Sequence, residues 1–350
     1  MSKTHSIDVC YVTIPNYPTV SSGKGQDRYA FELIQGARER YGSGAVTVSP
    51  LATKSNYLLK QLETVSRLRR VDARIYHATS EFGLICLLVA RKKPVVVSVH
   101  DLIPRIFFSH SPLLYATQLA HLGLIKRASR IIVSSQFYAK MLGRIYGLPL
   151  DKIDVVYYGV DHELFRNVPG RVRNDVPKVL YLGGLTSLKG VGDVVEGFAS
   201  FSKESKAELI IAGRGNPDGL KELALRLGIA DRTTVLGFVS EAKLPGLYNS
   251  VDVVVWPSHT GFGLSILEAM SCGTPVVAAD SLDTKEYLGD GGSSYCVRDI
   301  DTLGERLNMV LQSEESWQVW SENASKWSWN FSWGKMVSQV IQTYEKAREL

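Results

Sequence analysis

The chain has 350 residues, of which 45% are hydrophobic, so it can fill the cores of two or three domains. It contains no apolar run of about 20 residues and no signal-peptide pattern, and we therefore expect neither a membrane-spanning helix nor secretion. The net charge of +5 is only weak evidence for an anionic partner. Its four widely spaced cysteines fit the reduced thiols of a cytoplasmic protein, and neither a metal site nor a nucleic-acid partner is expected.

Short β-branched runs alternate with helical patterns along the whole chain, which is typical of parallel sheets covered by helices on both faces. In the first half these runs predict strands at residues 8–14, 45–49, 74–78, 95–100, 131–134 and 154–157. In the second half they predict strands at residues 178–183, 207–212, 233–237, 251–256, 275–278 and 294–297.

A polar stretch with proline and glycine, residues 166–177, separates the two series and predicts a linker. We therefore predict an α/β protein with two doubly wound domains, at residues 1–170 and 176–333, and a final helix at residues 334–350. A dehydrogenase of the dinucleotide-binding type is disfavoured, because Gly23-Lys24-Gly25 after the first strand lacks the third glycine of that fingerprint.

Residues 54–74 predict a basic amphipathic helix, with apolar side chains at helical spacing and Lys60, Arg67, Arg69 and Arg70 among its cations. Together with the apolar residues of 105–126, it suits an anionic surface such as the inner face of the plasma membrane. The alternative is a core helix with a solvated basic face.

Residues 256–279 carry the most informative pattern. A β-branched strand ends at Trp256, Gly261 and Gly263 flank Phe262, and the predicted helix that follows places Glu268 about one turn beyond its start. The N-terminus of such a helix favours an anion.

This stretch resembles the signature of the retaining glycosyltransferases of family four, which have the GT-B fold. The shared positions are Pro257, Ser258, Gly261, Phe262, Gly263, Leu264, Glu268, Ala269, Met270, Gly273, Pro275, Val276 and Val277. Further blocks follow in the family's order: His100-Asp101-Leu102-Ile103-Pro104, Ser134-Ser135-Gln136-Phe137, Tyr158-Gly159-Val160-Asp161, Tyr181-Leu182-Gly183-Gly184-Leu185 with Lys189-Gly190, and Ala212-Gly213-Arg214-Gly215. The resemblance implies two Rossmann-like domains facing a cleft, with the last helix crossing back to the first domain.

It also implies that the second domain binds a nucleotide-diphosphate sugar as co-substrate, without a cofactor or a metal. Lys189 would neutralise the phosphates, and Glu268 would accept hydrogen bonds from the ribose hydroxyls. The amides of Phe262, Gly263 and Leu264 would hold the transferred sugar and a phosphate oxygen. The other donor-side positions are Gly23, Lys24, Gly25, Gly183, Gly184, Gly213, Arg214, Thr260, Gly261 and Glu286.

Two positions depart from the family pattern. Thr260 replaces a glutamate that contacts the sugar, and Gly184 replaces an arginine, whose charge Arg214 is a candidate to supply. For Thr260 three consequences stay open: a different donor sugar, a substitute contact from His259, or a slow or inactive enzyme.

His100 ends a buried strand, and the resemblance implies that it contacts the donor sugar or positions the acceptor, with Asp101 on the acceptor side. The alternative is a histidine whose hydrogen bonds are satisfied at a strand end. Neither residue is expected to be a covalent nucleophile, because retention in this family is explained by front-face attack with the leaving phosphate as base.

We therefore predict a metal-independent hexosyl or related glycosyltransferase that uses a nucleotide-diphosphate sugar, forms an α-linkage and acts on a glycan or lipid-linked acceptor. Its expected place is the cytoplasm, with peripheral association to the plasma membrane. The alternatives are a non-catalytic protein of the same fold that binds a nucleotide or a partner, and a non-hydrolysing sugar-nucleotide epimerase, to which the resemblance is poorer.

Overall fold

The computed structural model describes residues 9–13, 25–50, 57–100, 123–203, 205–258 and 263–349. The chain forms two compact units: unit 1 comprises Met1–Gly159 with Trp333–Leu350, and unit 2 comprises Val160–Ser332. Each unit contains a six-stranded sheet whose neighbouring strands are parallel, so the predicted pair of doubly wound α/β sheets is confirmed.

The sheet of unit 1 has the strand order β2-β1-β3-β4-β5-β6. Its strands are β1 (Val9–Thr13), β2 (Val46–Pro50), β3 (Ile75–Ala78), β4 (Val95–Val99), β5 (Arg130–Val133) and β6 (Ile153–Val155). Every residue of β1, β3 and β4 is buried, because helices cover both faces of the sheet. This explains why the sequence shows continuous apolar runs rather than alternation.

Among the described residues of unit 1, the helices are α1 (Gly25–Tyr41), α2 (Tyr57–Arg70), α3 (Glu81–Val89), α4 (Gln136–Tyr146) and, from the end of the chain, α12 (Trp333–Arg348). Ser135 caps α4 by accepting a hydrogen bond from the Tyr138 amide. Helix α12 packs on α1 and on the strands β3, β4 and β5, so the predicted return of the last helix to the first unit is confirmed.

Helix α2 buries Val65 and Leu68 and exposes Arg67, Arg69 and Arg70. It is thus a core helix with a basic outer face, and the side chain of Lys60 lies outside the described residues. Within the described ranges, no helix combines the length and apolarity needed to cross a bilayer.

The sheet of unit 2 has the strand order β12-β11-β10-β7-β8-β9. Its strands are β7 (Lys178–Leu182), β8 (Glu208–Ala212), β9 (Thr233–Gly237), β10 (Val253–Trp256), β11 (Val276–Ala279) and β12 (Gly292–Tyr295). Its helices are α5 (Val191–Phe201), α6 (Asp218–Arg226), α7 (Leu244–Asn249), α8 (Leu264–Ser271), α9 (Thr284–Leu288), α10 (Ile300–Leu311) and α11 (Glu314–Ser328). Each of the twelve predicted strands overlaps an observed one, and the last lies two residues earlier than predicted.

The boundary between the units lies at Gly159 rather than at residues 170–176, because the predicted linker packs on unit 2. Arg171 donates to Thr274 Oγ1 at 2.9 Å and also to the Val251 carbonyl oxygen. The Asn174 amide donates to Asp252 Oδ1 at 2.8 Å. A free spacer would leave the Asp252 carboxylate buried without these donors, so the stretch is a structural part of unit 2.

Candidate functional site

The carboxyl edge of the unit 2 sheet brings together the turns that follow β7, β8 and β9. The Gly183 amide donates to the Ala212 carbonyl at 3.0 Å, and the Leu185 amide donates to the Arg214 carbonyl at 2.9 Å. The Gly213 amide donates to the Gly237 carbonyl at 2.8 Å. Backbone groups at the ends of strands often have no partner in the sheet. Here they bond to one another and join the three turns into one surface.

Two glycines permit this approach. Gly213 has φ +149°, and a Cβ there would lie 1.6 Å from the Gly183 carbonyl oxygen. Gly215 has φ +141°, and a Cβ there would lie 2.7 Å from Leu185 Cβ. The glycine turn predicted from the sequence thus meets a backbone requirement within unit 2, whatever ligand it contacts.

Lys189 lies at the same edge, between β7 and α5. A short 3₁₀ turn, Ser187–Lys189, is followed by Gly190, which has φ +69° and immediately precedes α5. A Cβ on Gly190 would lie 2.7 Å from the Pro257 carbonyl oxygen, so the start of α5 is held against the end of β10. This packing fixes the backbone of Lys189, whose side chain is half-buried.

Gly184, where the family pattern has an arginine, is sterically open. The atom nearest to a Cβ on Gly184 is Lys189 Cγ at 3.8 Å, which is an ordinary contact. Its carbonyl oxygen accepts a hydrogen bond from the Tyr181 hydroxyl at 2.7 Å. Position 184 is therefore held in place and has room for a side chain next to Lys189.

Arg214, the candidate replacement for that charge, packs on the turn after β9. Its guanidinium carbon lies 3.9 Å from the centre of the Phe238 ring, and both side chains are exposed. This is a cation–π stack at a solvent-accessible position. The role of Arg214 toward a phosphate stays a prediction.

Glu268 lies in the second turn of α8 and is half-buried. Its Oε2 accepts a hydrogen bond from the Tyr248 hydroxyl at 2.8 Å. Gly263 precedes the helix, and a Cβ there would lie 3.1 Å from Tyr287 Cβ, so the turn into the helix packs tightly on α9. Leu264 is the first residue of the helix, as predicted from the sequence.

Glu286 is half-buried in α9, which follows β11 at the same edge of the sheet. Thus Gly183, Gly184, Lys189, Gly213, Arg214 and Glu286 all lie in turns or helices that follow strands of one sheet. An ammonium and backbone amides bind phosphates, and carboxylates accept hydrogen bonds from hydroxyls.

His100 follows β4 in unit 1 and is 2% exposed. Its Nε2 donates to the Thr79 carbonyl at 2.6 Å, so its Nδ1 accepts from the Tyr158 hydroxyl at 2.5 Å. Burial lowers the pKa of His100 to about 4, although the hydrogen bond to Thr79 opposes the shift. The ring is therefore neutral near pH 7 and engaged at both nitrogens by groups of its own unit.

Several predicted residues lie outside the described part of the chain: Gly23, Lys24, Asp101, Thr260, Gly261 and Phe262. Gly25 is the first residue of α1. Among the residues that are described, no group of three or more histidine, cysteine, aspartate or glutamate side chains could hold a metal ion.

Sequence reasoning did not single out the tyrosines that hold the predicted residues in place. Tyr158 belongs to the family block Tyr158-Gly159-Val160-Asp161, but nothing in that block indicates its contact with His100. Tyr248 carried no signal, because its hydrogen bond to Glu268 spans 20 residues of sequence.

Comparisons with known proteins match both units to one class of enzyme. Residues 166–327 match the family model described as glycosyl transferases group 1, and residues 26–164 match the model described as Glycosyltransferase Family 4. The D-inositol 3-phosphate glycosyltransferase of Mycobacterium marinum is 33% identical over 244 residues, which cover 64% of this chain and 51% of the relative. The MMP alpha-(1->4)-mannosyltransferase of Mycolicibacterium hassiacum is 28% identical over 299 residues, covering 80% of this chain and 72% of the relative.

The fold is shared with solved structures. HepE of Anabaena in complex with UDP-glucose superimposes with a TM-score of 0.77 at 20% identity, over 97% of this chain and 99% of HepE. This likeness confirms the predicted GT-B fold class. The chain spans about half the length of the first curated relatives that it matches.

Proposed function

The chain belongs to glycosyltransferase family 4, and from this we propose that it moves a sugar from a nucleotide-diphosphate sugar to a glycan or lipid-linked acceptor. We propose further that the reaction retains the anomeric configuration and forms an α-linkage without a metal ion. The observation that carries the proposal is the carboxyl edge of unit 2, where glycine turns, Lys189 and Glu268 follow strands of one sheet.

In this proposal the donor's diphosphate binds beside Lys189. The ammonium offsets the charge that develops on the leaving phosphate, which is the main electrostatic demand of the reaction. Backbone amides at the start of α8 supply neutral donors. The carboxylate of Glu268 accepts hydrogen bonds from the donor's ribose hydroxyls, because an ionised carboxylate has two acceptor oxygens.

The acceptor hydroxyl attacks the sugar from the same face from which the phosphate leaves, and the departing phosphate takes the proton of that hydroxyl. No side chain of this chain forms a covalent bond with the sugar in this scheme. His100 enters it only as a neutral group of unit 1, because burial lowers its pKa to about 4 and its Nδ1 is bonded to the Tyr158 hydroxyl.

The exposed arginines of α2 support a second part of the proposal. Arg67, Arg69 and Arg70 form a basic face that attracts an anionic lipid surface, and this suits an acceptor carried on a lipid at the inner face of the plasma membrane. Binding to vesicles with and without anionic lipid at rising salt tests this part separately. Equal binding to neutral vesicles would rule out the charge-based association.

A thermal-shift panel with UDP, GDP, ADP and CMP and their common sugar forms tests the donor site. A nucleotide at about 100 times its Kd adds about 2.7 kcal/mol to the native state, which is a visible rise in Tm. The sugar form that shifts Tm is then supplied with acceptors, and the anomeric configuration of the product is read by NMR. If no nucleotide shifts Tm or supports transfer, the proposed function is wrong.

A further inference from the structure

Tyr248 is a buried neighbour of the carboxylate that the proposed function assigns to the donor's ribose. Its side chain is 0% exposed, on α7, and its hydroxyl donates to Glu268 Oε2 across 2.8 Å. Helices α7 and α8 pack against each other, and the hydrogen bond joins residues of these two helices that are 20 positions apart in sequence.

The position of Tyr248 is fixed by its own surroundings. Its carbonyl accepts a hydrogen bond from Thr274 Oγ1 at 2.8 Å, and its ring packs edge-on to Phe165 with the centroids 6.0 Å apart. The next residue, Asn249, donates from Nδ2 to the carbonyls of Arg166 and Pro245. The phenol therefore cannot follow a moving carboxylate, and the carboxylate must align with the phenol.

The hydroxyl is a permanent donor. Burial, followed by the negative charge of Glu268, raises the pKa of Tyr248 well above its usual value of 10. The phenol is therefore protonated throughout the range in which proteins function. Its single proton points to Oε2 because a hydrogen bond to a charged acceptor is stronger than one to a neutral group.

We propose that Tyr248 is a positioning residue for donor binding. By holding Oε2, it fixes the rotation of the flexible Glu268 side chain, so that the carboxylate meets the vicinal hydroxyls of the ribose without first losing side-chain freedom. This rests on the proposed function, in which Glu268 receives those hydroxyls. The competing explanation is that Glu268 only satisfies a buried phenol, and it predicts no effect specific to the ribose.

The two explanations separate in a binding cycle. UDP, GDP and ADP are titrated by calorimetry into the full chain and into Tyr248→Phe, Glu268→Gln and the double variant. The titration is then repeated with the 2′,3′-dideoxy form of the nucleotide that binds, which lacks the ribose hydroxyls. We expect Tyr248→Phe to weaken the ribonucleotide about three- to tenfold, the range for one hydrogen bond. We expect it to change the dideoxy form by less than about twofold and to add nothing in the Glu268→Gln background.

Tyr295→Phe is the matched control. Tyr295 is 2% exposed in β12, and its hydroxyl has no hydrogen-bond partner among the described residues. Its removal takes away a buried hydroxyl of unit 2 without touching Glu268, and it should leave the affinity for both nucleotide forms unchanged. Tm values for both variants show whether either has lost stability.

Two results would overturn the proposal. If Tyr248→Phe weakens the ribonucleotide and the dideoxy form equally, or acts additively with Glu268→Gln, Tyr248 has only a structural role. If the unaltered chain binds none of the three nucleotides, the proposed function itself is wrong and the positioning role falls with it. The binding seen in the unaltered chain distinguishes the two failures.

Discussion

The carboxyl edges of the two sheets treat polar groups in opposite ways. In unit 1, His77 and His100 are buried and their ring nitrogens bond to groups of the same unit: Tyr344 and Ser98 for His77, and Tyr158 and Thr79 for His100. In unit 2, the edge consists of glycine turns with a half-buried Lys189 and an exposed Arg214. We call His77 and His100 with these partners, the described part of the first edge, the closed edge. We call the glycine turns of unit 2 with Lys189 and Arg214 the open edge.

The difference teaches where a resemblance in sequence carries function. A motif residue at the closed edge has internal partners that explain it without a ligand. The open edge places two cations, Lys189 and Arg214, beside the turns that follow β7 and β8, where their charges attract an anion. The contrast therefore favours unit 2 as the place where an anionic ligand binds.

The largest effect is expected from a change in the backbone of the open edge. In Gly213→Ala the new Cβ would lie 1.6 Å from the Gly183 carbonyl oxygen at φ +149°, so the turns must separate. We expect a loss of about 4 kcal/mol in the free energy of unfolding, measured with urea. Gly219→Ala in α6 is the control, since no atom lies within 4 Å of its Cβ, and it should be neutral or slightly stabilising. Equal stability of the two variants would mean that the turns are not locked together.

The closed edge predicts a dependence of stability on pH. Burial lowers the pKa of His77 to about 3 and that of His100 to about 4, whereas both titrate near 6.5 when unfolded. Between these values the unfolded chain binds more protons than the folded chain. The stability that the two neutral histidines contribute is therefore fully present above about pH 6.5 and is lost as the pH drops toward 4. We expect the two rings together to lower the free energy of unfolding by about 2 kcal/mol between pH 6 and pH 5.

Urea unfolding at half-unit pH steps measures this slope, and His100→Gln should reduce it by about half. A slope that is unchanged by His100→Gln would show that His100 is not held neutral, and the closed edge would lose its defining member.

Lys189→Ala tests the cation of the open edge. The variant should weaken binding of the preferred nucleoside diphosphate about tenfold, because it removes one charged donor, while unfolding changes little. Calorimetric titration checks it beside Lys221→Ala, an exposed lysine on α6. Should both variants bind alike, the ammonium of Lys189 plays no part in recognition.

The smallest effect is a gain. Gly184→Arg places a second cation next to Lys189, where a Cβ meets only ordinary contact. We expect diphosphate binding to tighten about threefold at low salt and the gain to fade as salt rises. Gly184→Gln separates charge from bulk. Tighter binding by the glutamine variant as well would assign the gain to packing.

The fold could be predicted from sequence because its signals are local. Runs such as Val95–Val99 need only their neighbours to become buried parallel strands, and the strand series of both units were found this way. The contacts of the predicted linker at 166–177 could not be found for the opposite reason: its polar residues bond to groups about 80 to 100 residues away, such as Val251, Asp252 and Thr274. Local composition contains no information about such partners.

The site divides along the same line. The resemblance pointed to the glycine turns and to Lys189, whose roles stay predictions, but the sequence could not reveal that Gly213 is required by the Gly183 carbonyl. Nor could it reveal the tyrosines Tyr158, Tyr248 and Tyr344, whose hydroxyls meet partners distant in the chain. A tyrosine in a core looks the same in sequence whether or not its hydroxyl orients another residue.

Helix α12 gives unit 1 an order of assembly. The Tyr344 hydroxyl bonds to His77 and to Tyr11 on two central strands, and Lys346 forms an ion pair with Asp154 in β6. These partners leave the ribosome early, whereas α12 is made only after the whole of unit 2. During synthesis unit 2 can therefore be complete while the first unit still exposes the polar and apolar surface that α12 covers, so the part of the protein that begins first is the last to be finished.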